Sequence, residues 1–260
     1  AGNMGRTALG QLDRVDPQVP VGLELSSFQL EALDEQGFSP HIAVLTNISE
    51  DHLDRYSSFE EYAEVKASIT RHQRTDDWLI VPHGDELIDR LTGDSVARRV
   101  SVGSFEAAGD YALWIADDRF SGRWNGKPVD LGPVDRFLIP GQHNLQNALA
   151  ASAAALAAGV APAEIAAGLA GSTPVANRLE TVANINDVTW INDTTATTPV
   201  AGIAALEAFA GRRIILIAGG SSKNANLEPF ADAIHQHAAH VLLLDGGATP
   251  GLMMLLKLHE

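Results

Sequence analysis

The chain has 260 residues, 33 of them acidic and 18 basic, for a net charge of −15. That balance argues against a nucleic-acid backbone or an anionic membrane as partner, because both need a basic footprint; a phosphorylated small molecule, which needs only a local cluster of donors, stays open. With no cysteine, the chain forms neither disulfides nor thiolate metal sites, and it suits a reducing compartment.

Strand-length apolar runs alternate with helical patterns along the chain, which predicts an α/β protein with a mostly parallel central sheet. Residues 21–25 form the first such run, and Ser26 and Gln29 stand at capping-box spacing, so a helix starts directly after it. Residues 42–45 form a second run. Ser58 and Glu61 repeat the capping spacing and open a helix from Phe59 to about His72. Residues 77–81 read as a short strand, and 111–131 as a polar, hairpin-rich insertion with a tight turn at Asn125-Gly126. Residues 137–139 read as another strand, before an alanine-rich helix. The richest apolar stretch, 148–171, is broken by Pro162 and Glu164 and reads as two packed helices rather than a membrane span.

Gly171-Ser172-Thr173-Pro174 marks the best boundary between two domains, 1–175 and 176–260. Beyond it come a hairpin turning at Asn186-Asp187, a helix after Pro199 and a buried strand over 213–218. A Gly219-Gly220 turn, another helix and a strand over 241–244 follow, which together begin a partial Rossmann-like unit. The chain meets a Gly-Asn-Met-Gly loop directly after Ala1 and reaches Glu260 with few strands to cover the second sheet, so it reads as a piece of something longer.

Several residues stand where chemistry is expected. In an open α/β sheet, ligands bind at the carboxyl ends of strands. Glu24 ends an apolar run, where a carboxylate needs a metal, a base or backbone donors as partner. His52 lies among Glu50, Asp51 and Asp54, where oxygen and imidazole ligands for a divalent cation could converge. Phe59, Tyr62, Ala63, Lys66 and Ile69 follow helical spacing, which puts Lys66 on an inward face. It is either a lysine snorkelling at the edge of that face or a desolvated amine able to act as a base or to react with carbon dioxide. Asn144 and Asn147 share a helix face and either cap the helix or match an adenine edge. Asp193 either caps a helix or accepts from ribose hydroxyls. Arg178 and Lys223 are cations for phosphate or carboxylate, or simply solvated. No G-x-x-x-x-G-K-[ST] run is present, and Gly219-Gly220 lacks the remaining glycine of a dinucleotide fingerprint.

Taken in order, residues 2–5, Glu-Leu-Ser-Ser-Phe-Gln-Leu-Glu at 24–31, residues 47–56 with Glu-Asp-His-Leu-Asp-Arg-Tyr, Lys66, residues 141–147, Arg178-Leu179-Glu180, residues 192–199 and residues 219–223 resemble the Mur ligases. The first two long runs are most similar to the D-glutamate-adding branch of that family. The resemblance covers essentially the whole chain: 1–175 is similar to the central ATPase domain and 176–260 to the first part of the C-terminal domain. It implies a cytoplasmic, monomeric, ATP- and Mg²⁺-dependent carboxylate–amine ligase of peptidoglycan precursor synthesis. The implied substrates are UDP-N-acetylmuramoyl-L-alanine and D-glutamate, joined through an acyl phosphate. Carried over residue by residue, it implies Glu24 and His52 as metal ligands and Lys66 as a carbamylated lysine serving the same metal, with Lys66 and His52 catalytic. Asn3, Ser26, Gln29 and His52 would contact the muramoyl substrate, and Thr197 and Lys223 the D-glutamate. Asn144, Asn147, Arg178 and Asp193 would hold the nucleotide. Asn177 stands where many members have histidine, and Thr195 where many have lysine. The family's phosphate-binding loop and uridine-binding domain would lie upstream of Ala1, so turnover is expected of the parent rather than of these 260 residues alone. The rival readings are another Mur or folylpolyglutamate synthetase-like ligase, or a non-catalytic nucleotide-binding fragment.

Overall fold

A computed structural model describes residues 10, 13, 16, 19–49, 55–221 and 225–257. The chain divides into two compact units, one of Ala1–Arg136 with Gln146–Leu169 and the other of Phe137–Leu145 with Ala170–Glu260.

The first unit is built on a six-stranded sheet in sequential order: β1 (Ile42–Val44), β2 (Trp78–Pro82), β3 (Arg98–Gly103), β4 (Ala112–Ala116), β5 (Arg119–Trp124) and β6 (Lys127–Pro133). β1 to β4 pair in parallel and β4 to β6 antiparallel, with Ile42 opposite Trp78 and Trp78 opposite Arg98. The predicted insertion therefore extends the main sheet. Its two turns, Asp117-Asp118 and Asn125-Gly126, both take positive φ, the backbone that lets a two-residue hairpin match the strand twist.

Helix α1 (Ser27–Glu35) begins where the spacing predicts. Ser26 accepts from the Gln29 N–H, and the Gln29 side chain accepts from the Ser26 N–H, so both halves of the capping box are made. Gly37, at φ +67°, ends it. Leu30, 3% exposed, packs with Ala43, Leu45, Leu79, Val81 and Ile88, with Leu33 and Val65 against the cluster. Truncating such a leucine to alanine costs about 2–5 kcal/mol.

Helix α2 (Phe59–Ala67) is shorter than its apolar pattern predicts. It passes into a 3₁₀ turn, Ser68–Thr70, because the Ser68 and Thr70 hydroxyls donate back to the carbonyls of Val65 and Ala67. Ser58 caps it, but the Glu61 carboxylate accepts from the N–H and hydroxyl of Ser57 instead of closing the box. Helix α3 (Glu86–Thr92), capped by Asp85, and strand β3 were not legible beforehand.

Two predicted strands are corrected. Residues 21–25 hold only an isolated bridge at Glu24, with Val21 and Leu23 about half exposed. Residues 137–139 are irregular, and Leu138 is largely exposed. In both, apolar residues form no ladder with another described strand, and β structure depends on the partner as much as on the residues.

Helices α4 (Gln142–Ala157) and α5 (Pro162–Ala170) are the two alanine-rich helices. Among the described residues no helix is long and apolar enough to cross a membrane. The second unit continues with the hairpin β7 (Glu180–Ile185) and β8 (Val188–Asn192), turning at Asn186-Asp187, then helix α6 (Pro199–Ala208). Strand β9 (Ile214–Ala218), helix α7 (Glu228–His237), strand β10 (Ala238–Leu243) and helix α8 (Thr249–Lys257) follow. β9 and β10 pair in parallel across α7, the β-α-β arrangement of a Rossmann-like unit. Leu206, Ala231, Ile234 and Leu252 form its core. The strand expected to be buried over 213–218 is half-buried as β9: Ile214 and Leu216 pack on that core, but Ile215 and Ile217 are about half exposed.

Candidate functional site

In the first unit the two long motifs are joined by Phe28, Glu31, Arg55 and Tyr56, none of which carries a role by spacing alone. The Arg55 guanidinium donates to Glu31 at 2.5 Å and lies 4.1 Å from the Phe28 ring centroid. Tyr56, 6% exposed, donates its hydroxyl to the other Glu31 oxygen at 2.9 Å. Tyr56 meets Tyr62 at 5.3 Å between ring centroids, and the Lys66 Nζ is 5.5 Å from the Tyr62 ring. A continuous set of contacts thus runs from α1 to Lys66. Opposite charge alone does not pick the Arg55–Glu31 pair, since Glu24 and Glu31 both stand in the first motif and Arg55 stands with Glu50, Asp51 and Asp54 in the second.

Lys66 is half-buried on α2, as its phase predicts, and an aromatic face attracts a cation there. Ser26 and Gln29 sit at the start of α1, and their side-chain oxygens are engaged by the capping box. Glu24 is exposed, so burial places no demand on its carboxylate and the need for a compensating partner falls away. His52 and Asn3 lie outside the described residues, as does Lys223 of the second unit.

Magnesium is typically held by one or two carboxylates with waters and phosphate oxygens, rather than by an all-protein cage. Among the described residues no three His, Asp or Glu side chains gather as a metal cluster, and Glu24 is an accessible carboxylate.

In the second unit Gly141 takes φ +100°, and a Cβ there would stand 2.6 Å from His143 Cε1. Only glycine suits that turn. Asn144 donates its Nδ2 to the Pro140 carbonyl at 2.6 Å, so the helix-entry role is filled, with Oδ1 as the amide's remaining acceptor. Asn147, three residues further along α4, belongs to the first unit and is exposed. Burial of part of the His143 ring lowers its pKa below the ordinary histidine value, against the opposing pull of Asp193 and Glu207.

Arg178 sits at the tip of an unusual loop. Asn177 (φ +64°) and Leu179 (φ +42°) flank it in the left-handed region. For leucine this costs roughly 1–3 kcal/mol and persists only where the surroundings enforce it. They do: Asp193 Oδ1 accepts from the Leu179 N–H at 3.0 Å, and Glu180 accepts from the Asn177 N–H at 2.8 Å. The Thr195 hydroxyl donates to the Asn177 carbonyl at 2.8 Å. The two departures from the family pattern therefore bond to each other. Thr197 is exposed beside Thr198, the N-cap of α6.

Gly219 and Gly246 have a packing role. A Cβ on Gly219 would meet the Leu244 carbonyl at 2.7 Å, and one on Gly246 the Gly220 carbonyl at 2.6 Å. The glycines let the turns after β9 and β10 touch, which accounts for the pair without a dinucleotide fingerprint.

One unit with a mixed six-stranded sheet and another with a Rossmann-like β-α-β arrangement define an α/β protein of two parts. The chain belongs to the Mur ligase family: the Mur ligase middle domain matches residues 11–155, and the Mur ligase, glutamate ligase domain matches residues 177–254. UDP-N-acetylmuramoylalanine--D-glutamate ligase of Roseiflexus sp. is 40% identical over 99% of this chain and 57% of its own length. The protein of the same name from Symbiobacterium thermophilum is 34% identical over 94% of this chain and 53% of its own. The chain spans about half the length of the curated relatives it matches. Among solved structures, MurF ligase from Thermotoga maritima in complex with ADP shares the fold at TM-score 0.62 and 16% identity, over 85% of this chain and 57% of that one. MurC from the same organism does so at TM-score 0.62 and 23% identity, over 91% and 53%.

Proposed function

We propose that the protein is an ATP-dependent carboxylate–amine ligase that joins D-glutamate to UDP-N-acetylmuramoyl-L-alanine, acting as a cytoplasmic monomer. The observation that carries the reading is the 40% identity, across 99% of this chain, to a relative bearing that name. The Phe28–Glu31–Arg55–Tyr56 network supports it by joining the two motifs most similar to that branch. ATP transfers its γ-phosphoryl group to the L-alanyl carboxylate, releasing ADP. The D-glutamate amine then attacks the acyl phosphate and expels phosphate.

Asn144, Asn147, Arg178 and Asp193 would hold the nucleotide. Asn3, Ser26, Gln29 and His52 would contact the muramoyl substrate, with Thr197 and Lys223 on the D-glutamate. Glu24, His52 and a carbamylated Lys66 would hold magnesium, which when bound neutralises charge on the transferring phosphoryl group. Lys66 supports that role by its half-buried place on α2, the inward face that its helical phase predicts.

The acyl-phosphate step is tested with the protein as its gene encodes it. ATP labelled with ¹⁸O in the β,γ-bridge should scramble its label when UDP-N-acetylmuramoyl-L-alanine is added without an amine. No scrambling in that mixture, in an enzyme that turns over with all substrates, would overturn the order of steps.

A further inference from the structure

The Arg178 loop holds a second layer of design. Its backbone polar groups are taken one by one: the Asn177 N–H by Glu180, the Arg178 N–H by the Val175 carbonyl at 3.1 Å, and the Leu179 N–H by Asp193. The Asn177 carbonyl accepts twice from Thr195, from its N–H at 3.2 Å and its hydroxyl at 2.8 Å. The Asn177 side-chain oxygen accepts from Asn192 Nδ2 at 2.9 Å. Asparagine is among the few residues apart from glycine that enter the left-handed region readily, so Asn177 can present carbonyl and amide to this set at once.

The result is a tip whose backbone is fixed while its side chain is exposed. Glu180 and Asp193, the carboxylates that hydrogen-bond to this loop, are both engaged by its backbone N–H groups. The Arg178 guanidinium has no ion-pair partner among the described residues, although the chain's net charge is −15. A cation exposed on a rigid loop is arranged for an incoming anion, because little conformational freedom remains to be lost on binding.

We propose that Thr195 and Asn177 form a latch that fixes the Arg178 loop for the anionic part of the nucleotide, making both positioning residues. The inference rests on the nucleotide role of Arg178 given above. Thr195 acts through its hydroxyl: its distance to the Asn177 carbonyl is that of a full hydrogen bond, which takes up the one proton the hydroxyl can donate.

The test is a double-mutant cycle on the protein as its gene encodes it, with ADP affinity read by calorimetry and folding by melting temperature. Thr195→Val keeps size and shape and removes only the hydroxyl; ADP affinity should fall about 3–10-fold, the loss of one ordinary hydrogen bond. Thr195→Ser should restore it to within about twofold, on the same hydrogen-bond scale. In an Arg178→Ala background Thr195→Val should have no further effect, because the latch works only through that arginine. Two outcomes overturn the latch: unchanged affinity in Thr195→Val while Arg178→Ala binds weakly, or the same loss from Thr195→Val with and without Arg178. Unchanged affinity in Arg178→Ala overturns both the latch and the nucleotide role beneath it, and so identifies the deeper failure.

Discussion

Arg55 binds Glu31 with its guanidinium 4.1 Å above the Phe28 ring, so one side chain of the second motif grips two residues of the first. The ion pair is partly exposed, with side-chain accessibilities of 45% and 32%, and such pairs contribute only about 0–1 kcal/mol. Its importance is therefore expected in positioning. Arg55→Met should leave the melting temperature within a few degrees, on the order of a 1 kcal/mol change, yet lower kcat/KM at least about tenfold, because the contact holds Arg55 to the first motif. Thermal melts beside steady-state kinetics separate the two. A large loss of stability with kcat/KM intact in the surviving fold would assign Arg55 to structure alone.

Lys66 should be indispensable. Lys66→Ala is expected to abolish most turnover, and bicarbonate should restore little, because no amine remains to be carbamylated. A short-chain carboxylic acid able to occupy the vacated volume should recover part of the rate. Near-normal turnover of Lys66→Ala would remove the lysine from the mechanism.

The sequence made the local devices legible and left the partnerships hidden. The capping box of Ser26 and Gln29, the inward phase of Lys66 and the turns at Asn125-Gly126 and Asn186-Asp187 all depend on neighbours a few residues apart, where spacing determines contact. The runs at 21–25 and 137–139 are apolar like true strands but form no ladder with another described strand, and pairing is a property of distant segments. The Arg55–Glu31 contact spans 24 residues and the Thr195–Asn177 bond 18, so neither follows from periodicity. Glu24 was singled out by a burial argument, and its exposure shows how far that argument depends on a strand being real.

The turn before α4 should tolerate no side chain. Gly141→Ala places a Cβ against His143 and forces a left-handed backbone, at a cost of roughly 1–3 kcal/mol. Chemical denaturation should show a lower midpoint with an unchanged slope. An unchanged midpoint would mean that the turn relaxes freely.

His143 should make stability depend on mild acidity. Burial of its ring holds the folded pKa below the ordinary value of 6.5. Above that value the ring is neutral in both states and its favourable contribution is complete. As the pH falls below it, the unfolded chain takes up a proton that the folded ring resists, so stability declines until the folded pKa is passed. His143→Gln should flatten that part of the stability–pH curve. An equally steep curve in the variant would place the titration elsewhere.

The measurement that bears most directly on the central claim is an acceptor screen. The protein as its gene encodes it is supplied with ATP, Mg²⁺, UDP-N-acetylmuramoyl-L-alanine and, one at a time, D-glutamate, L-glutamate, L-lysine, meso-diaminopimelate and D-alanyl-D-alanine. ADP release and product mass are followed together. D-glutamate alone should support stoichiometric ADP release and a product heavier by one glutamyl residue. Ligation of another acceptor in preference to D-glutamate, or glutamylation of a folate in place of the muramoyl substrate, would contradict the assignment.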